Sequence, residues 1–197
     1  MITVKYTEDN DADMINTVIE IDSIVFPAHL QGTFQEVYGR FCKNRDSYVL
    51  LYDKNRIIGY LCMFPVKDEL YREISSSDKF YDSNIPCEMI EQYKPGNTYK
   101  LYAISTAILP GYQGKGLSKH LIGGFRKYLT DKRKENILFS SVLSTAVTTG
   151  GDYLLRTLGF EKKKTLQNDY ALYELLIDDV YYEKTERELS SYTNSFQ

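Results

Sequence analysis

One continuous stretch in the second half of the chain most constrains the fold. Tyr99 to Leu109 is a long β-rich run, and Pro110-Gly111-Tyr112-Gln113-Gly114-Lys115-Gly116 follows it at once as a glycine-rich turn. From Leu117 a helix runs to about Thr130, with Leu117, Leu121, Ile122, Phe125 and Leu129 on one face. Ile137 to Leu143 reads as a strand again. A strand, a tight turn, a helix and a further strand belong to a layered α/β architecture.

The flanking segments extend that pattern. Ile2-Thr3-Val4-Lys5-Tyr6 alternates like an edge strand, and Asn10 to Asp13 offer caps for a helix whose stripe is Ile15, Val18, Ile19, Val25 and Phe26, stopped by Pro27. Thr33 and Glu36 have capping-box spacing before a second helix, where Phe34, Val37, Tyr38, Phe41 and Cys42 form an apolar face. Tyr48 to Tyr52 and Ile57 to Phe64 form a hairpin around Asp53-Lys54-Asn55-Arg56. Residues 66–98 read as a long insertion holding a short helix at Asp68 to Ile74, a length of loop that often serves as a lid or binding loop and is otherwise a solvated insertion without a role. Downstream, Thr148 or Thr149 caps a helix to about Leu158 that Gly159 ends; strands at Phe160 to Leu166 and Tyr170 to Ile177 close the sheet. The expectation is one α/β domain with a mixed sheet over residues 1–180, and a tail at 181–197 that forms a short helix or frays.

Composition removes several function classes. The chain has 197 residues and a net charge of −3, with 43% apolar and 26% charged residues, the balance of a globular protein with a core of its own. The most apolar run, Ile57 to Val66, is half the ~20 residues of a membrane-spanning helix. The N-terminus turns acidic and lacks the basic and apolar regions of a signal peptide. Cys42, Cys62 and Cys87 are odd in number and form no CxxC pair, and only His29 and His120 are present, so neither a disulfide scaffold nor a metal centre is expected. The mildly acidic total does not suit general nucleic-acid binding. A reduced, cytoplasmic protein is expected.

The chemical signal lies in Gln113-Gly114-Lys115-Gly116-Leu117-Ser118. Glycines let a backbone approach a ligand closely, and successive N–H groups at a helix N-terminus form a nest for an anion. The spacing is not that of a P-loop, because Leu117 stands where GxxxxGK requires lysine. Nor is it a dinucleotide fingerprint: Lys119 takes the place of the third glycine, and Ile137 to Leu143 ends without an acidic ribose partner.

These residues do resemble the signature of the GNAT acetyltransferase superfamily, Q/R-x-x-G-x-G/A, entered from a long strand through V/I-x-P. Ile108-Leu109-Pro110 precedes Gln113 to Ser118 and matches it except at the last position, where Ser118 replaces Gly or Ala. Leu154-Leu155-Arg156-Thr157-Leu158-Gly159-Phe160 is similar to a second family segment. The resemblance implies a GNAT fold with a V-shaped splay between the strands ending near Leu109 and Leu143. It implies an acetyl-CoA donor bound by Ile108, Gln113, Gly114, Lys115, Gly116, Leu117 and Ser118, with the pyrophosphate on the amides of Gly114, Gly116, Leu117 and Ser118, pantetheine along the backbone of Ile108, and no metal. The implied activity is transfer of an acetyl or short acyl group to a primary amine, on a small molecule or a peptide, and homodimers occur in such a family.

Two family features are missing. The tyrosine that commonly protonates the leaving thiolate is replaced by Leu155, and no Asp or Glu lies between Tyr99 and Leu109 to act as base. Tyr153 should face away from Leu155, whereas Asp152 shares its face but suits a helix-start carboxylate capped with Thr149. On the long strand Tyr102, Ile104 and Thr106 should share one face, and Leu101, Ala103, Ser105 and Ala107 the other. Tyr102, Glu88, Glu91, His29 and His120 are further candidates, each with a structural alternative, so the acid and base are unassigned. The rival reading is a CoA-binding sensor or interaction module that keeps the donor cleft without the chemistry. For the acceptor, Glu8, Asp9, Asp11, Asp13 and the Asp178-Asp179 pair would suit a cationic amine or serve solubility.

Overall fold

The computed structural model describes residues 1–7, 11–82 and 84–194. In chain order the elements are β1 (Ile2–Tyr6), α1 (Asp11–Val25), α2 (Phe34–Lys43), β2 (Tyr48–Asp53), β3 (Arg56–Val66), α3 (Asp68–Ser76), β4 (Thr98–Ile108), α4 (Ser118–Lys134), β5 (Leu138–Ala146), α5 (Thr149–Leu158), β6 (Glu161–Thr165), β7 (Ala171–Leu176) and α6 (Asp179–Asn194). Among the described residues the strands make one sheet, in the order β1-β2-β3-β4-β5-β7-β6. β4 and β5 are parallel; every other pair is antiparallel. Helices α1, α2 and α3 cover one face, and α4, α5 and α6 the other.

Local chemistry accounts for most boundaries. The Thr33 hydroxyl accepts from the Glu36 N–H while the Glu36 carboxylate accepts from the Thr33 N–H, which closes the capping box of α2. The hairpin turn puts Lys54 at φ 57, and Gly159 ends α5 in the left-handed conformation at φ 93. The cap of α5 is Thr148, whose hydroxyl accepts from Gly151 at 3.0 Å. Asn10, a suggested cap for α1, lies outside the described residues, as do Glu8 and Asp9.

Three features differ from the sequence pattern. β5 runs on to Ala146, three residues past the point where its apolar run stops, because Ser144 and Ala146 pair with Tyr173 and Ala171 of β7. The segment after α3 is not a solvated loop: Tyr81, Ile85 and Ile90 are buried, and Ile90 bridges to Val66. The third difference is a β-bulge in β4. Cys62 faces Ser105 while Met63 faces Ala103, so Ile104 is the extra residue. Alternation therefore restarts at the bulge. Tyr102 and Ser105 share the face carrying Phe64, Cys62 and Tyr60, and Thr106 moves to the opposite face with Ala103. Residues 181–194 continue α6, which packs against α4 through the buried Tyr182 and Thr185.

Candidate active site

β4 and β5 stay paired only as far as Ala103 and Ser144, although β4 continues to Ile108 and β5 to Ala146. The Ser144 hydroxyl donates to the Ala103 carbonyl at 2.8 Å and closes the apex of the resulting V. A bulge bends its strand and increases the local twist, and here it lies one residue beyond the last paired position. On the other edge β4 remains tied to β3, with Leu109 N–H donating to the Ile58 carbonyl at 2.9 Å. Backbone groups alternate in direction along a strand, so the N–H and C=O of Ile108 point away from β3 and into the opening. Gln113 braces this edge, its Nε2 donating to the Ile108 carbonyl at 2.7 Å.

The turn beyond β4 leads to the N-terminus of α4. Gly114 and Gly116 have φ of +72 and +70, and a Cβ at either would meet nothing within 4 Å. Their requirement for glycine is therefore conformational and not one of space. Among the described residues, no backbone acceptor takes the N–H of Gly114, Lys115, Gly116, Leu117 or Ser118. Those donors gather where the helix dipole is positive, an arrangement suited to phosphate oxygens. The Lys115 side chain turns back, with Nζ donating to the Gly111 carbonyl at 2.7 Å above the Tyr112 ring. Tyr112 in turn donates to the Asp53 carboxylate at 3.1 Å, anchoring the loop to the β2–β3 turn. Loop and opening share one cavity of about 590 Å³, with Thr106, Ile108, Gly116, Ser118, Gly151 and Tyr153 among its lining.

An inner pocket of about 70 Å³ continues from this cavity past Thr106, Thr148, Gly151 and Leu154. Its walls carry the side chains of Ser105, Thr145, Phe80 and Leu155, and its one ionisable group is Asp82. Burial pushes the Asp82 carboxyl up to about 6, against the pull of Arg40. Behind Ser105 a further cavity of about 30 Å³ holds Asp22, Arg40 and Tyr60. The Asp22 carboxyl is also pushed up to about 6 by burial, opposed by the Tyr60 hydroxyl that donates to it and by Arg40. The same Tyr60 oxygen lies 2.7 Å from the Ser105 hydroxyl.

The structure separates the residues singled out in the sequence. Ile108, Gln113, Gly114, Gly116, Leu117 and Ser118 all line the outer cavity, and Lys115 sits within the same turn. Leu155 is buried in the wall of the inner pocket, while Tyr153 is 68% exposed at the outer rim. Asp152 accepts from Tyr173 and from Arg156 Nε, the latter at 2.8 Å, and these two bonds hold its carboxyl below the usual range. Tyr102 is buried and donates to the Tyr81 carbonyl at 2.6 Å, beside Thr145 of the inner pocket. Glu88 is exposed, and Glu91 lines a separate surface cleft with Lys67 and Asp68. His29 touches the Tyr170 hydroxyl at 3.5 Å, and burial pushes the His120 pKa down in a groove beside β1. Asp178 caps α6 through the Tyr181 N–H, and Asp179 pairs with Arg133. Among the described residues no group of three metal-ligating side chains gathers.

Asp22 and Asp82 escaped the sequence reading. Asp22 carried a usable signal: it lies four residues after Val18 and seven after Ile15, on the apolar stripe of α1. Asp82 carried none, because only the packing of Tyr81 and Ile85 decides which way the segment turns.

The sequence profile described as the acetyltransferase (GNAT) family matches residues 15–148, more than half of the chain. The chain belongs to the GNAT family. Among solved structures, it is similar to the loading GNATL domain of CurA from Lyngbya majuscula, with a TM-score of 0.62 at 12% identity, covering 89% of this chain and 98% of that one. Arabidopsis thaliana NAA60 in complex with acetyl-CoA aligns with a TM-score of 0.59 at 15% identity over 90% of this chain and 100% of that one. An N-acetyltransferase from Staphylococcus aureus Mu50 aligns with a TM-score of 0.57 at 12% identity over 90% and 99%. At these identities the likeness is one of fold. No curated protein sequence matches this one. As a GNAT protein the chain has the mixed sheet flanked by helices that its sequence pattern implied, with the splay between β4 and β5. No helix among the described residues is long and apolar enough to cross a membrane.

Proposed function

We propose that this GNAT protein is a cytoplasmic N-acetyltransferase that moves an acetyl or short acyl group from acyl-CoA to a primary amine of a small molecule or peptide. The observation that carries the reading is the run of N–H groups from Gly114 to Ser118 that no backbone acceptor takes among the described residues, in a turn whose Gly114, Gly116, Leu117 and Ser118 line the same cavity as the edge of β4 at Ile108. A pyrophosphate fits that run by charge and donor geometry, and the small Ser118 leaves the helix end open to it. In this reading the Ile108 N–H pairs with pantetheine, and Gln113 keeps the Ile108 carbonyl occupied so that the strand edge presents donors. Bound there, acetyl-CoA supplies the activated acyl group. The chain's part is to hold the thioester at the apex of the V, against the hydroxyl-lined inner pocket, where an amine would meet it.

Leu155 favours a second reading. It occupies the place of the family's tyrosine and has no proton to give, as in a CoA-binding sensor with no turnover. Thiolate is a tolerable leaving group near neutral pH, so its presence does not preclude transfer. Thermal unfolding with acetyl-CoA, beside adenosine and NAD, tests the donor site. At a hundredfold excess over Kd the gain is about 2.7 kcal/mol, or roughly 5–10 °C for a chain this size. No shift at millimolar acetyl-CoA refutes the assignment; a shift without turnover of any amine favours the sensor.

A further inference from the structure

We infer that Ser105, Tyr60 and Asp22 form a proton relay leading from the apex of the opening into the protein, and that this relay does the work of the carboxylate base missing from β4. The inference rests on the acyltransferase reading above and assigns it a base.

The geometry is a continuous hydrogen-bonded chain. Ser105 lies two residues past the last β4–β5 pair and lines the inner pocket. The bulge at Ile104 turns it onto the same face as Tyr60, whose oxygen is 2.7 Å from the Ser105 oxygen. Tyr60 has one proton, and it donates that proton to Asp22 Oδ1. Ser105 must therefore donate to Tyr60, which leaves the lone pairs of Ser105 toward the pocket as acceptors for an incoming N–H. Without the bulge, simple alternation would put Ser105 on the face opposite Tyr102 and its partners Phe64, Cys62 and Tyr60, and the chain would be broken. Tyr60 and Asp22 are buried at 1% and 9% exposure, so bulk water does not short-circuit the transfer.

The step balances. As the amine nitrogen bonds to the acyl carbon and the carbon–sulfur bond breaks, the nitrogen gives a proton to Ser105 Oγ. The Ser105 proton passes to Tyr60, the Tyr60 proton passes to Asp22, and Asp22 becomes a neutral acid. The thiolate leaves with the bonding pair and takes its proton from solvent. Only Ser105 touches the substrate; Tyr60 and Asp22 act through it. The charged groups facing Asp22 are Arg40 on α2 and Asp82 from the segment after α3. The other titratable groups of that cavity, Tyr48, Tyr60 and Cys62, are kept neutral by burial.

The test uses the full chain, acetyl-CoA and n-butylamine, with released CoA read by chromatography across pH 5 to 9. Ser105→Ala, Tyr60→Phe and Asp22→Asn should each lower kcat by about 10²-fold or more, leave KM for acetyl-CoA unchanged and, for Asp22→Asn, abolish the acidic limb of the profile. Ser105→Thr, which restores a hydroxyl, should recover most of the rate. In Asp82→Asn the limb should persist, moved to lower pH by the loss of a neighbouring negative charge. Ser105→Ala keeps the test valid where a buried substitution unfolds the chain. The relay is overturned, with the acyltransferase reading intact, by an active Asp22→Asn with an unchanged profile or by a limb that disappears only in Asp82→Asn. Wild-type protein that releases no CoA with n-butylamine, with water alone or with any other primary amine of a small-molecule and peptide panel overturns the relay together with the enzyme reading, whereas the acetyl-CoA thermal shift separately reports the donor site.

Discussion

Gly123 and Gly124 are neighbours in α4, yet one added methyl should stabilise the protein only at Gly123. At Gly123 a Cβ meets nothing within 4 Å. Alanine there gains only helix propensity, about 1 kcal/mol in a helix interior. At Gly124 the same atom would lie 2.6 Å from Val49 Cγ1 and 2.9 Å from Val4 Cγ1. Val49 is fully buried, and a β-branched side chain in a sheet cannot swing aside cheaply. Overpacking of this kind costs typically about 1–3 kcal/mol, which cancels or outweighs the propensity gain. A chain of this size shifts by about 2–4 °C per kcal/mol, so Gly123→Ala should melt about 2–4 °C higher than the parent. Gly124→Ala should melt below Gly123→Ala by roughly 2–12 °C on the same scale. Thermal unfolding by circular dichroism, with urea titration to check that the m-value is unchanged, reads the difference. Equal stability of the two variants would refute the claim that Gly124 sets how closely α4 sits on the sheet. That seat matters because α4 carries the Gly116–Ser118 donors to the edge of β4, so Gly124→Ala should also reduce the acetyl-CoA shift.

Gly116→Ala tests the loop itself: a left-handed conformation costs a non-glycine residue about 1–2 kcal/mol, and relaxation of φ from +70 would turn N–H groups out of the nest. The unliganded protein should melt about 2–8 °C lower, the acetyl-CoA thermal shift should fall by more than half, and an undiminished shift would exclude these amides from binding. A pH dependence of stability follows from Asp22. Its folded pKa, raised by burial to about 6, lies above the unfolded value of 3.8, so the folded state binds the proton more tightly. The stability this confers is full below pH 4 and is lost as pH rises through 6, a contribution on the order of 3 kcal/mol. Asp22→Asn should therefore unfold at higher urea than the parent at pH 7.5 and lose that advantage near pH 4; a uniform difference across pH would refute the burial argument.

Much of the fold was readable because its signals are local. Glycines at 114, 116 and 159, the Thr33 and Glu36 caps and the apolar stripe of α4 act on their own neighbours within a turn or two. The same is true of the donor loop, whose chemistry is a property of consecutive backbone amides. Its role in CoA binding is a proposal that rests on the contiguity of those amides with the opening. The base was not readable, since Asp22, Tyr60, Ser105 and Asp82 come from four separate stretches of the chain, and no spacing rule connects them.

The bulge at Ile104 shows where the division falls. Alternation within Tyr99 to Leu109 assigns Ser105 to the face opposite Tyr102, and nothing in that stretch contradicts it. Only the pairing of β4 with β3 inserts the extra residue, because register is a relation between two strands and belongs to neither alone. The sequence by itself determined the order of elements, the glycine turn at the start of α4 and the family. Tertiary structure decided which carboxylates are buried or half-buried, and hence raised to about 6, and which hydroxyls face the opening, since burial and cross-strand register exist only once distant segments are packed together.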